Sequence, residues 1–126
     1  MSIVLDAGAL IAIERDDRVL WRALKDAALA TEDVIAPSTA VAQVWRASAR
    51  QARLAKVLKH CVIAAFDPIA MDVGKLCGKA RTADICDAHV AIVAARGPRQ
   101  LFTSDAEDLR VLFEALGVRG PQLVHC

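Results

Sequence analysis

The chain has 126 residues, 56% of them hydrophobic and 25% charged, and a formal net charge of +1. This length fits one domain spanning residues 1–126, and the composition excludes a disordered chain. The small net charge excludes a global basic field, so contact with nucleic acid would require a local patch. With three Phe, two Trp and no Tyr, base stacking on exposed aromatic side chains is not expected.

The expected location is the cytoplasm. The first residues, MSIVLDAGALIAIERD, contain no basic leader and place Asp6 inside the apolar run, which argues against a signal peptide. No apolar stretch approaches the roughly 20 residues that a membrane helix needs. The four cysteines contain no CxxC pair, so we expect isolated, reduced thiols.

Five short apolar segments are predicted to be strands, and helical segments separate them. In chain order the strands are SIVLD, DVIAP, CVIAAFD, QLFTSD and QLVHC. The first predicted helix is capped by Asp16 or Asp17 and reaches about Leu29, with Val19, Leu20 and Leu24 facing inward. A long helical stretch then runs from Pro37–Ser38 to about His60.

The second half of the chain repeats this alternation. A helix begins at Pro68 and fades near Gly78, and the helix TADICDAHVAIVAA (82–95) stops at Gly97–Pro98. A last helix ends near Gly117. Strands that alternate with helices predict an α/β fold with a mainly parallel sheet. In such sheets, sites form beyond the carboxyl ends of the strands, where the strand order reverses.

Carboxylates follow three of the predicted strand ends, at Asp6, Asp67 and Asp105. Carboxylates that converge repel one another unless a cation lies between them. Mg²⁺ and Mn²⁺ prefer oxygen ligands and can polarise a phosphate ester. The pattern therefore predicts a hard divalent metal and phosphate-ester chemistry.

Each acid also has a purely structural interpretation. Asp6 could end a strand, and Asp67 before Pro68 is typical of a turn. Asp84 and Asp87 fit the first turn of a capped helix. Asp105 and Asp108 could simply complement the dipole of the last helix. The case for a metal site rests on the combination of these acids.

Three ordered motifs, VLDAGALIA, DAHVAIVAA and LFTSDAEDL, resemble the PIN-domain family and, within it, the VapC-type toxins of VapBC toxin–antitoxin pairs. The resemblance covers essentially the whole chain. It implies a small metal-dependent ribonuclease with a five-stranded, mainly parallel sheet in the order 3-2-1-4-5 and helices on both faces. That order would place Asp6 beside Asp105 and leave Asp67 outside the cluster.

Carried over by motif, Asp6, Asp87 and Asp105 would be the catalytic acids that hold Mg²⁺ or Mn²⁺. Thr103 and Ser104 would orient the site from its rim by hydrogen bonds. One position departs from the family: the usual Glu on the helix after the second strand is replaced by Gln43 in VAQVWR. Gln43 brings no charge, and we predict that Asp84, one turn before Asp87, joins the metal site and supplies the missing charge.

A helix continuing past Pro37 would place Gln43, Arg46, Arg50 and Arg53 on one polar face. Such a row suits an RNA backbone, an acidic antitoxin or a solvated helix face, and the sequence leaves these open. A kink or restart near residue 51 is also expected, because Leu54, Val57 and Leu58 break the pattern. His89 could touch substrate, although a packed imidazole is the expected state.

The resulting functional prediction is an endoribonuclease toxin that cuts structured RNA, such as tRNA or rRNA, to restrain translation. The resemblance further implies a homodimer and a cognate VapB-type antitoxin. The alternative is a catalytically weakened PIN fold that acts by binding RNA or antitoxin, and Gln43 keeps it open. A phosphorylated receiver domain is disfavoured, because only the single Asp6 follows the first strand and no lysine follows the last.

Overall fold

The five strands form one parallel sheet in the order β3-β2-β1-β4-β5, which confirms the predicted topology. The computed structural model describes residues 1–126. The strands are β1 (Ser2–Leu5), β2 (Val34–Pro37), β3 (Val62–Ala64), β4 (Arg99–Thr103) and β5 (Gln122–His125). Because β1 pairs with both β2 and β4, the carboxyl ends of β1 and β4 lie side by side where the strand order reverses.

Seven α-helices connect the strands. They are α1 (Ala7–Glu14), α2 (Arg18–Leu29), α3 (Ser38–Val44), α4 (Ala52–Leu58), α5 (Ala70–Ala80), α6 (Ile85–Ala94) and α7 (Ala106–Leu116). Asp17 caps α2 by accepting a hydrogen bond from the backbone of Leu20. The prediction did not include α1, whose apolar sequence lacks an amphipathic period and continues directly from β1.

The predicted long helix from Pro37 to His60 is wrong, because the chain leaves the helical path after Val44. A short 3₁₀ turn at Ala49–Gln51 then leads into α4, so the expected restart near residue 51 is confirmed. Gln51 holds the break: its amide accepts from Arg46 N at 2.8 Å and donates to the Val44 carbonyl at 2.8 Å. This buried side chain satisfies backbone groups that the missing helical turns would otherwise pair.

The core is dominated by aliphatic residues and alanine. Every residue of α6 from Ala88 to Ala94 is buried, which places this helix against the sheet and under α5 and α7. Val19 was predicted to face inward, but it is 62% exposed while Leu20 and Leu24 are buried. The buried face of α2 follows Leu20, Leu24 and Ala27, and Val19 lies about 100° away from Leu20.

None of the four cysteines forms a disulfide, as the sequence predicted. No helix is long and apolar enough to cross a membrane.

Candidate metal centre

Asp6 stands at the junction of β1 and α1 and is 3% exposed. It is the N-cap of α1, and its Oδ1 accepts a hydrogen bond of 2.7 Å from the backbone N–H of Ala9. The Thr103 hydroxyl also hydrogen-bonds this carboxyl. Burial nevertheless raises the pKa of Asp6, with these hydrogen bonds opposing the shift and the charge of Asp105 adding to it.

Asp84 and Asp87 begin α6, and the structure shows that Asp84 is a helix cap. The Asp84 Oδ1 accepts a hydrogen bond of 2.9 Å from the backbone N–H of Asp87. Asp84 is itself positioned by Thr82, whose hydroxyl accepts from the Asp84 backbone. The capping interpretation is therefore correct for Asp84, while the Asp87 carboxyl remains available to face the other acids.

Asp105 follows β4 and is the N-cap residue of α7, and its backbone N–H donates to the buried Thr103 hydroxyl at 2.8 Å. One carboxylate oxygen from each of Asp87, Asp105 and Asp108 lies within 4.8 Å of the other two. Oxygen atoms at such separations could share one ion. The structure therefore brings together two of the three predicted catalytic acids with a third that the sequence analysis had assigned only to the helix dipole.

Asp108 was missed because Asp105 and Asp108 fit the first turn of a helix so well. Their spacing was nevertheless a signal, since residues three apart lie on the same face of a helix. Asp6 lies outside this group of three oxygen atoms. Its negative charge nevertheless raises the pKa of Asp87, and the charge of Asp105 raises the pKa of Asp6. The acids form a buried inner part at Asp6 and an exposed outer part at Asp105 and Asp108.

The acidic cluster has no positively charged side chain to balance its negative charge. Burial, together with the negative charges of Asp84, Asp6 and Asp105, raises the pKa of Asp87 to about 7. No Lys, Arg or His forms an ion pair with any of these acids. A divalent cation would reverse this repulsion, and an all-carboxylate set of oxygen donors fits a hard ion of the Mg²⁺ or Mn²⁺ type.

Two predicted rim residues differ in their surroundings. Thr103 is fully buried and touches both Asp6 and Asp105 through its hydroxyl. Ser104 is exposed and packs against Gly8, so closely that a Cβ at Gly8 would come within 2.0 Å of its Oγ. The same Cβ would lie 3.3 Å from Asp6 Oδ1, so this glycine lets the start of α1 approach the end of β4.

Gln43 is exposed on α3 and forms no hydrogen bond with any of the acids. The predicted polar row on one helix is wrong, because Arg46, Arg50 and Arg53 lie on different elements. Arg46 lies just beyond α3, and its guanidinium donates to the carbonyls of Ala42 and Trp45 at the end of that helix. Arg50 lies in the 3₁₀ turn, and Arg53 lies on α4.

His89 is fully buried, which excludes direct contact with substrate in this conformation. Its Nδ1 lies 2.8 Å from the Thr39 hydroxyl, and its ring packs edge-on against Phe66. Burial lowers the pKa of the imidazole. The expectation of a packed histidine is confirmed.

The largest cavity, about 880 Å³, lies between α2 and α4 and contains none of the predicted site residues. A smaller one of about 200 Å³ is lined by Asp84, Asp87 and Asp108, among others. The smaller one is the candidate site, because two of the converging acids, Asp87 and Asp108, line it.

A parallel sheet ordered 3-2-1-4-5, with acids gathered where that order reverses, defines a PIN-like fold. Comparison with solved structures supports this class. VapBC2 from Rickettsia felis, solved bound to a DNA fragment from its promoter, contains a chain that matches with a TM-score of 0.72 and 15% sequence identity. The match covers 100% of this chain and 99% of that one.

At that identity the similarity establishes the fold alone. No family model matches the sequence, and no curated protein matches it.

Proposed function

We propose that this chain is a metal-dependent endoribonuclease, the toxin of a type II toxin–antitoxin pair, and that it restrains translation by cutting structured RNA such as tRNA or rRNA. One observation carries the proposal: the carboxylates of Asp87, Asp105 and Asp108 converge next to buried Asp6 with no basic side chain to neutralise them. A purely structural role for these acids would not explain why uncompensated charges are gathered at the switch point of the sheet.

The proposed ligands of Mg²⁺ or Mn²⁺ are Asp6, Asp87, Asp105 and Asp108. A divalent ion held there supplies the Lewis acid that polarises the scissile phosphodiester and activates water for attack. Asp6 is fixed by the backbone of Ala9 and the hydroxyl of Thr103. Asp87 is fixed by the α6 cap, and Thr103 also orients Asp105. These contacts preorganise the acids so that little reorganisation is needed when the ion and the phosphate bind.

Asp84 contributes in two ways under this proposal. It caps α6, and its negative charge acts directly on Asp87. It thus adds negative potential to a site in which Gln43 offers none. Gln43 has no proton-accepting role, because a neutral amide cannot serve as a base.

The proposed partners are a cognate VapB-type antitoxin and a second copy of this chain, acting in the cytoplasm. The support for an antitoxin is that the structural neighbour belongs to a VapBC complex. The homodimer stays a prediction from the sequence resemblance.

The test is incubation of total RNA with the purified, antitoxin-free protein and Mg²⁺ or Mn²⁺, followed by sequencing of new RNA ends. We expect discrete ends that disappear with a chelator and in Asp87→Asn. Asp67→Asn is the matched control, because this aspartate also follows a strand but is exposed at β3, on the edge of the sheet. Cleavage that persists in Asp87→Asn would contradict the proposal.

A second candidate is a binding-only PIN fold, favoured by the exposed, uncharged Gln43. In that case a folded protein that binds RNA or antitoxin would give no metal-dependent ends from any RNA in the pool. Gln43→Glu would discriminate further, since it restores the carboxylate of the family pattern. Cleavage gained only in that variant would support the second candidate.

A further inference from the structure

We propose that the RNA strand leaves the metal centre along the outer face of α1 and is held by three arginines, Arg15, Arg50 and Arg53. This inference rests on the proposed ribonuclease function and adds the path of the substrate. Arg15 was not recognised in the sequence, and the other two meet it only because the chain breaks between α3 and α4.

The break is what assembles the arginine group. Gln51, anchored to Val44 and Arg46, turns the chain so that α4 begins beside the end of α1. Arg53 Nη1 then donates to the Glu14 carbonyl at 3.2 Å, which fixes this contact. The resulting cleft of about 480 Å³ is lined by Ile11, Glu14, Arg15, Arg50 and Arg53.

The cations in this cleft are available to an external anion. All three arginines are exposed, and no carboxylate lies within 4.0 Å of the Arg15 or Arg50 guanidinium. The only carboxylate near the Arg53 guanidinium is that of Asp16, at 3.9 Å, and this contact is exposed. The single acid that lines the cleft is Glu14, and its Oε2 is 3.5 Å from the amide of buried Gln51.

A second cleft continues from these arginines to Gly8 and Ser104, which adjoin Asp6 and Asp105. It is lined by Gly8, Ile11, Ala12, Arg15, Asp17, Ser104 and Cys126, and it shares Ile11 and Arg15 with the arginine cleft. Positions 8, 11, 12 and 15 are spaced as one face of a helix. At its near end, Gly8 lies against Ser104 and next to Asp6. At about 1.5 Å per residue, Gly8 and Arg15 are roughly 10 Å apart along α1.

The α1 face between the two ends carries no acid and no bulky polar group, only Gly8, Ile11 and Ala12. The one acid that lines this cleft is Asp17, which accepts a hydrogen bond from the Leu20 backbone as the cap of α2. A strand whose scissile phosphate lies at the carboxylates must pass over some neighbouring surface. The α1 face is uncharged and leads to guanidinium groups, which match phosphate oxygens in a planar, two-point geometry. An acidic peptide could also bind the arginines, but it has no phosphodiester to place at a cation held by the carboxylates.

The test measures binding of a fluorescein-labelled single-stranded RNA by anisotropy, in a chelator so that no cleavage occurs, across a series of salt concentrations. The variants are Arg15→Gln, Arg50→Gln and Arg53→Gln. The controls are Arg22→Gln and Arg119→Gln, which remove exposed arginines from other surfaces. Melting temperature and Mn²⁺ affinity are measured for all five. The Mn²⁺ affinity should not change, and only Arg53→Gln, which loses the hydrogen bond to the Glu14 carbonyl, should lower the melting temperature slightly.

We expect each cleft variant to weaken binding by about 3- to 10-fold and to reduce the salt slope by about 0.7 for each phosphate that the variant no longer neutralises. The controls should leave both quantities near the wild-type values. Cleft variants that behave like the controls would overturn the inference, as would a wild-type protein that does not bind this RNA. Loss of binding to polyglutamate in the cleft variants, with RNA binding unchanged, would instead assign the cleft to an acidic protein.

These outcomes are separate from those that test the nuclease. Metal-dependent cleavage with no effect of the cleft variants leaves the nuclease intact and removes the proposed path. Cleft-dependent binding without cleavage leaves the path intact and removes the nuclease.

Discussion

The clustering of acids destabilises the ionised form of Asp87. Its pKa is raised from 3.8 to about 7, first by burial and then by neighbouring carboxylates. In the metal-free protein the folded state therefore holds a proton that the unfolded state has released. The stability associated with this proton is fully present below pH 3.8 and is lost as the pH rises through about 7.

This linkage predicts that Asp87→Asn stabilises the metal-free protein more at pH 8 than at pH 5, because the penalty begins to build up above pH 3.8 and is complete only above about pH 7. We expect a gain of about 1–2 kcal/mol in the free energy of unfolding, well below the ~4 kcal/mol of the full shift, because solvent screens this half-exposed group. Urea unfolding in a chelator at both pH values measures it. Asp67→Asn is the control, and an equal gain from Asp87→Asn at both pH values would contradict the argument.

Asp108 and Asp84 both lie close to Asp87, but only Asp108 belongs to the group of converging oxygen atoms. We expect Asp108→Asn to lower the affinity for Mn²⁺ by about 10-fold or more, since even outer-shell changes reach that size. Asp84→Asn should cause a smaller loss, because asparagine keeps the helix cap and removes only the charge. Calorimetric titration measures both. Unchanged affinity in Asp84→Asn, with helicity intact, would show that Asp84 does not compensate for Gln43.

The start of α1 packs closely against the end of β4 at one glycine, Gly8. Gly8 lies inside α1, where alanine would normally favour the helix by about 1 kcal/mol. Here the added Cβ would meet Ser104 Oγ at 2.0 Å and its Cβ at 2.9 Å. The contact therefore reverses the ordinary sign of the substitution, since Ser104 must move.

We predict that Gly8→Ala destabilises the protein and weakens Mn²⁺ binding, because Ser104 adjoins Asp105 and the new Cβ faces Asp6. Gly74→Ala on α5 is the matched control: nothing lies within 4 Å of its Cβ, and we expect stabilisation by about 0.5–1 kcal/mol. Thermal melts and Mn²⁺ titrations give both quantities. Adding Ser104→Gly should restore much of the stability and affinity that Gly8→Ala removes, and a lack of rescue would contradict the contact.

The strands could be predicted from the sequence because each is a short apolar run ended by a polar residue, and their alternation with helices indicates a parallel sheet. The strand order itself came from the family resemblance. The acids after β1 and β4 followed from the rule about strand ends. The sequence indicated a restart near residue 51, but it did not indicate that the helix ends at Val44. That end depends on Gln51 reaching back to groups that are brought near only by the fold.

The same cause explains the errors at the site. The arginine row assumed an unbroken helix, and Arg15 was not considered because α1 had not been predicted. Asp108 was set aside because a helix dipole accounts equally well for an acid in the first turn. Only its distance from Asp87 and Asp105 separates the two interpretations.

The sheet order brings together acids from three separate segments of the chain: the end of β1, the start of α6 and the start of α7. Each segment enters the site through a helix N-terminus, where the backbone amides favour negative charge. That field offsets part of the repulsion. The rest opposes folding, and a cation held by these acids would relieve it, so metal binding and folding should be thermodynamically linked.

Coupling of this kind predicts that Mn²⁺ at about 100 times its dissociation constant raises the free energy of unfolding by about 2.7 kcal/mol. For a domain of this size the melting temperature should rise by roughly 10 °C. The rise should be reversed by EDTA and absent in Asp87→Asn, while NaCl of matched ionic strength should not reproduce it. A similar rise in Asp87→Asn would mean that the ion binds elsewhere, and that the four acids are held together by the fold without serving as its ligands.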